Sequence, residues 1–153
     1  MKIYLDLCAI QRPLDTPNQT RIILESEAVL GIIAYCETGK VSLLSSEALI
    51  YEGDQSILPV RKEHTNAVLA KAQNVVVLTE EVKNRAANIL KYGITPIDAL
   101  HLTLAESGKA DYFCTCDDKL LRNAMKINNL KVKIINPVDL IREIEKWFLI
   151  WDL

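Results

Sequence analysis

Lys2-Ile-Tyr-Leu5 reads as a short buried strand, and Asp6 follows it at once. Four more β-branched or apolar runs have the same character: Val41 to Leu44, Val75 to Leu78, Tyr112 to Cys114 and Val132 to Ile135. Each is bounded by polar or turn residues, as buried strands are. Helical patterns lie between them. The longest runs from about Gln19 to Glu37, with Ile22, Ile23, Val29, Leu30 and Ile33 on one broad face, and Gly39 follows as a stop. Shorter helices are expected over Ser46 to Glu52, Val60 to Ala72, Glu80 to Tyr92, Pro96 to Ser107 and Asp118 to Ile127. A last one starts after Pro137 and carries Leu140, Ile141 and Ile144. Alternating strands and helices imply an α/β fold with a mostly parallel sheet covered on both faces. Ligands of such sheets sit beyond the carboxyl ends of the strands, so the residues just after each strand carry the functional reading.

A chain of 153 residues is enough for one domain with an adequate core, and the expectation is a single domain over 1–153. The net charge of −2 argues against a strong non-specific nucleic-acid binder, which would usually be basic. It leaves room for an enzyme with a local basic rim and an acidic metal site. No signal peptide is visible, and the most apolar stretch, Val29 to Tyr35, is too short to span a bilayer. The expected location is therefore the cytoplasm, with no membrane partner. Cys8, Cys36, Cys114 and Cys116 make neither a CxxC pair nor a zinc-like array, and read as reduced, mostly buried thiols.

Acidic residues recur at the strand exits. Asp6 emerges from the first strand. Asp98 lies in Gly93-Ile-Thr-Pro-Ile-Asp-Ala-Leu-His101, where Thr95 reads as a helix N-cap, Pro96 as the first helical position and Asp98 as the third. That explains Asp98 as structure, but it also fixes a carboxylate in a helix that otherwise reads apolar, where it needs a partner. Asp117 and Asp118 follow the fourth strand, two adjacent acids where a cap requires one. Ser45-Ser-Glu-Ala-Leu-Ile-Tyr-Glu52 offers Glu47 and Glu52. At 3.6 residues per turn they point about 140° apart. Glu52 falls on the apolar side with Ala48 and Leu49, whereas Glu47 suits the solvated helix start. Carboxylates clustered without His or Cys ligands suit Mg²⁺ or Mn²⁺. Such ions activate water and stabilise charge developing on a phosphate.

These pieces resemble the PIN-domain nucleases, many of them VapC-like ribonuclease toxins of toxin–antitoxin pairs. The resemblance is carried by Tyr4-Leu-Asp6 with Gln11-Arg-Pro-Leu-Asp15, by Leu44-Ser-Ser-Glu-Ala-Leu-Ile-Tyr-Glu52, by Pro96-Ile-Asp-Ala-Leu-His-Leu102, and by Ala110-Asp-Tyr-Phe-Cys-Thr-Cys-Asp117. They occur in the family's order over nearly the whole chain. The resemblance implies a three-layer α/β/α sandwich with a parallel sheet of order 3-2-1-4-5. That order makes Asp6 and Asp117 neighbours, and Asp98 and a helix Glu, with Glu52 the first choice and Glu47 the second, complete a Mg²⁺ or Mn²⁺ site. The activity it implies is endoribonuclease cleavage of RNA phosphodiesters, with an antitoxin protein as partner. The family often carries a small hydroxyl after the first Asp. Leu7 and then Cys8 stand here, which motivates the alternative of a catalytically weak PIN-like binding module.

Among the basic residues, Arg12 and Lys119 lie closest in sequence to Asp6 and Asp117 and are the expected phosphate-binding rim. Arg21, Arg61, Lys62 and Arg122 read as ordinary surface. His101, one turn after Asp98, reads as a satisfied helix histidine, and His64 as exposed. The tail Trp147-Phe-Leu-Ile-Trp-Asp-Leu153 is apolar for a terminus. Together with Val29 to Ile33 it suggests a homodimer or an antitoxin-binding surface. A phosphoacceptor domain would want paired acids after the first strand, where Asp6 stands alone. A phosphatase of the Asp-x-Asp type fails because Cys8 holds the second position.

Overall fold

Consecutive side chains of a strand point to opposite faces. Ile3, Tyr4 and Leu5 are nevertheless all fully buried, so helices cover the sheet on both sides. The structure, a computed structural model, describes residues 1–151. Its strands are β1 (Lys2–Leu5), β2 (Ser42–Ser46), β3 (Asn74–Val76), β4 (Tyr112–Cys114) and β5 (Lys133–Ile135). All pairings are parallel, and the order is β3-β2-β1-β4-β5. Tyr4 stands opposite Leu44 on one side and Phe113 on the other, while Leu5 pairs with Cys114. The ends of β1 and β4 are therefore side by side.

The helices are α1 (Leu7–Gln11), α2 (Thr20–Glu37), α3 (Glu47–Asp54), α4 (Pro59–Leu69), α5 (Glu80–Ile89), α6 (Pro96–Ser107), α7 (Asp118–Ala124) and α8 (Pro137–Trp151). Short 3-10 turns cover Arg12–Leu14 and Leu90–Tyr92. The element α1 was not anticipated, because five residues are too few to show a period. Strand β2 runs two residues further than expected, since Ser45 and Ser46 pair with Val75 and Val76. Strand β3 stops at Val76, and the Leu78 N–H donates to Glu47 instead of to a strand.

The buried face of α2 also needs correcting. Ile23 and Leu30 are exposed, and the packed stripe is Ala28, Val29, Ile32, Ile33 and Cys36. That stripe packs against α8, where Leu140 and Ile144 are fully buried, Phe148 stacks on Tyr35 with ring centroids 4.8 Å apart, and Ile141 lies close over Gly31. The surface read as a dimer patch around Val29 to Ile33 is thus largely closed by the chain's own last helix. Leu149 and Ile150 remain exposed, and the tail residues Asp152 and Leu153 lie outside the described residues. No helix among the described residues is long and apolar enough to cross a membrane.

Candidate metal centre

Asp6 leaves β1 with its N–H donating to the Cys114 carbonyl of β4 (2.9 Å), so the backbone is fixed before the side chain is placed. Its carboxylate is nearly buried, at 6% exposure, and accepts from three donors. The Leu7 N–H reaches Oδ1 at 2.9 Å, while the Thr115 hydroxyl at 2.9 Å and the Cys8 thiol at 3.3 Å both reach Oδ2. Thr115 also accepts from the Asp117 N–H at 3.1 Å. One hydroxyl at the end of β4 therefore ties Asp6 to the segment that carries Asp117. Sequence reasoning missed Thr115, though its place two residues before Asp117 was a usable signal.

Asp117 is the N-cap of α7, with Oδ1 accepting from the N–H groups of Lys119 (3.0 Å) and Leu120 (3.1 Å). Asp98 sits in the first turn of α6 behind the Thr95 cap and Pro96, in the arrangement its sequence implies. Glu52 comes from α3. Asp6, Glu52, Asp98 and Asp117 then line one cleft of about 290 Å³, together with Leu7, Cys8 and Gln11. Glu47 is not part of it and accepts from Leu78 N at 3.1 Å. Asp118 also turns away, into a two-pronged contact with Arg21 at 2.6 and 2.8 Å that holds its carboxyl below the ordinary value.

Crowded acids show in the electrostatics. Burial raises Asp6 above the usual carboxylate range, against nearby His101 and the Thr115 and Cys8 hydrogen bonds, which lower it. Asp98 is raised by burial first, and next by the charge of Asp6, with Asp117 adding to it.

A profile of the PIN domain matches residues 3–126 of this sequence. The chain belongs to the PIN-domain family. A sequence search of curated proteins finds no significant match. Two solved structures share the PIN fold with it. One is VapBC2 from Rickettsia felis bound to a DNA fragment from their promoter, at 14% identity and a TM-score of 0.53, covering 89% of this chain and 98% of the other. The second is PAE2754 from Pyrobaculum aerophilum, at 18% identity and a TM-score of 0.53, covering 95% and 99%.

The donor set of this PIN domain fits a hard divalent cation. Four carboxylates from four elements share the cleft, two of them raised by burial and by like charge, and a cation relieves both penalties. Among the described residues, the ligand atoms that lie within 4.8 Å of one another are those of Asp6, Glu52 and His101, and Asp98 and Asp117 line the cleft outside that group. His101 is fully buried and bonded at both ring nitrogens, to Tyr4 and to Glu52, as a satisfied helix histidine should be.

The basic rim differs from expectation. Arg12 is committed to Glu25 (2.7 Å) and Asp15 (3.0 Å), Arg21 to Glu25 and Asp118, and Arg61 to Asp15. Glu25, only 3% exposed, demands such partners, so the arginines brace α2 against the loop before it. Lys119 is exposed beside Asp117. His64 is half-buried rather than exposed, with Nε2 2.8 Å from the Ile10 carbonyl.

Proposed function

We propose that this PIN domain is a metal-dependent endoribonuclease that hydrolyses RNA phosphodiesters. The observation that carries the reading is the convergence of Asp6, Glu52, Asp98 and Asp117 on one cleft at the carboxyl ends of β1 and β4. Asp6, Asp98 and Asp117 would hold Mg²⁺ or Mn²⁺, with Glu52 completing the set. When bound, the cation lowers the pKa of water and neutralises phosphate oxygens, so no Ser, Cys or His nucleophile is required. The chain's own part is to hold the carboxylates rigid. Thr115 and Leu7 N–H fix Asp6, the cap bonds fix Asp117, and the α6 first turn fixes Asp98. Lys119, exposed next to Asp117, is placed to meet a phosphate.

The binding-module alternative rested on Leu7 in place of a hydroxyl. Thr115 donates to Asp6 from just beyond the neighbouring strand β4, so the carboxylate is oriented without a hydroxyl at position 7. That favours the enzyme. The likeness to VapBC2 supports a toxin with an antitoxin partner. A homodimer is a separate proposal, for which light scattering at high concentration is the test. Four free cysteines suit a reducing compartment, the cytoplasm. The deciding experiment is cleavage of a mixed RNA pool in Mn²⁺, with EDTA and Asp98→Asn protein as controls. Products that appear with wild-type protein and vanish in both controls support the reading. Products that persist in either control, or a wild type that binds metal and never cuts, overturn it.

A further inference from the structure

Four polar groups lie end to end behind Glu52. The Leu49 N–H donates to Ser46 Oγ at 3.1 Å, Ser46 Oγ lies 2.6 Å from the Tyr4 hydroxyl, that hydroxyl lies 2.6 Å from His101 Nδ1, and His101 Nε2 lies 3.0 Å from Glu52 Oε1. The two ends and the requirement that every donor find an acceptor select one direction for the protons. A carboxylate only accepts, so Nε2 carries the ring proton and donates to Glu52. With the single ring proton on Nε2, Nδ1 accepts and Tyr4 donates to it. The Tyr4 oxygen in turn accepts from Ser46, whose own oxygen is taken by the Leu49 N–H. In this arrangement no donor lacks an acceptor. Reversing the Tyr4–His101 bond would leave Ser46 Oγ receiving two protons with none of its own placed.

We propose that Tyr4 and His101 are positioning residues, forming a one-way hydrogen-bond relay that fixes the Glu52 carboxylate in the cleft and so sets its affinity for the divalent cation; this rests on the reading of the cleft as a metal site. Three observations carry it. Ser46, Tyr4 and His101 are fully buried, whereas Glu52 is 29% exposed, so the relay runs from the interior and ends at the cleft. Burying a hydroxyl, a phenol and an imidazole gains nothing over apolar residues of similar size, which would pack without needing partners. The relay also joins the three elements that supply three of the acids: β1 with Asp6 two residues after Tyr4, α6 with Asp98 one turn before His101, and α3 with Glu52 itself. A glutamate on a helix has three rotatable bonds, and the bond to Oε1 removes that freedom while leaving Oε2 as an acceptor for a cation or water. Polar partners behind a ligand that fix its orientation are usual at metal sites.

Tyr4→Phe tests this with little change of shape, since the ring and its stack on Phe113, at 5.3 Å between centroids, survive. Mn²⁺ affinity is read by electron paramagnetic resonance, folding by thermal melting, and the His101 ring by ¹⁵N NMR on metal-free protein. The expected result is a folded variant whose Mn²⁺ affinity falls roughly 10–100-fold. In wild type the His101 Nε2 is protonated and Nδ1 is not, and only the Nδ1 signal moves in Tyr4→Phe. A folded variant within twofold of wild-type affinity overturns the relay and leaves the metal site standing. A wild-type protein that takes up no Mn²⁺ overturns both. If Tyr4→Phe does not fold, His101→Gln and His101→Leu decide. A glutamine amide can accept from Tyr4 and donate to Glu52, so Gln should keep more affinity than Leu, and equal losses overturn the relay.

Discussion

At Asp98 two demands meet on one carboxyl group. The first turn of α6 favours an acid there, while burial and the charges of Asp6 and Asp117 oppose its ionisation. Asp98→Asn keeps the shape and removes the charge. Cleavage should fall at least ~100-fold if the carboxylate holds the cation, because first-turn capping does not require the charge but cation binding does. Metal-free stability should move the other way, and with a definite pH dependence. The folded protein holds Asp6 and Asp98 above the ordinary value of 3.8, so it keeps protons that the unfolded chain has already released. Stability attached to these groups is present at low pH and lost as pH rises through the folded-state values. In EDTA, the melting temperature of Asp98→Asn should therefore gain on wild type as pH is raised from about 4, and saturating Mn²⁺ should reverse the order. A difference that stays flat from pH 4 to 8 would mean that Asp98 is not strained in the folded state. Thr115→Val tests the hydroxyl that joins Asp6 to the Asp117 backbone. It removes a donor to a buried carboxylate and an acceptor for an N–H, at a cost of about 1–3 kcal/mol, and should weaken Mn²⁺ binding. Unchanged melting and affinity would show that Cys8 and Leu7 N–H suffice to hold Asp6.

Elements bring the acids together by local rules that mostly show in the sequence. Thr95 with Pro96 starts α6, and Asp117 starts α7, so two of the four carboxylates are placed by capping signals within three residues of themselves. Asp6 is placed by the end of an apolar run. Glu52 was legible from the family resemblance and as the member of a helical pair that shares a side with Ala48 and Leu49. What the sequence did not show is long-range. His101 bonds residues 97 and 49 positions away, Thr115 bonds Asp6 across 109, and Arg12 is taken by Glu25 from another helix. No periodicity reports such pairs, because each partner is also an ordinary residue in its own element. The position of Glu52 depends further on how α3 meets α4. A Cβ at Gly53 would lie 2.9 Å from Thr65 Cγ2, and Thr65 is fully buried. Gly53→Ala should push the two helices apart at a cost of about 1–3 kcal/mol in spite of the better helix propensity of alanine. It should also displace Glu52 and weaken Mn²⁺ binding. A Gly53→Ala protein more stable than wild type would show that the α3–α4 contact yields freely.

Across the whole molecule, the alternation of strands and helices foretold the layers and the parallel sheet, and the family resemblance supplied the strand order. Pattern alone did not supply the partner of α2. Its broad apolar face read as a docking surface because the segment that covers it, α8, lies more than a hundred residues away. Helix α8 also falls outside the family match, which ends at residue 126. Its burial of Leu140, Ile144 and Phe148 against α2 nevertheless continues the same core that runs through β1, β4 and α6. We propose from this that residues 1–153 unfold as one unit, with no separable C-terminal piece. Calorimetry of the metal-free protein should then give one transition whose calorimetric and van't Hoff enthalpies agree. At roughly 0.7 kcal/mol per residue near 60 °C the enthalpy should be about 100 kcal/mol. A chain ending at Asn136 should lose that transition and bind a hydrophobic dye, because Val29 and Ile32 would face water. Two resolved transitions in the full chain, or a truncated chain that melts cooperatively near the wild-type temperature, would show that α8 is an appendage and that the domain ends before it.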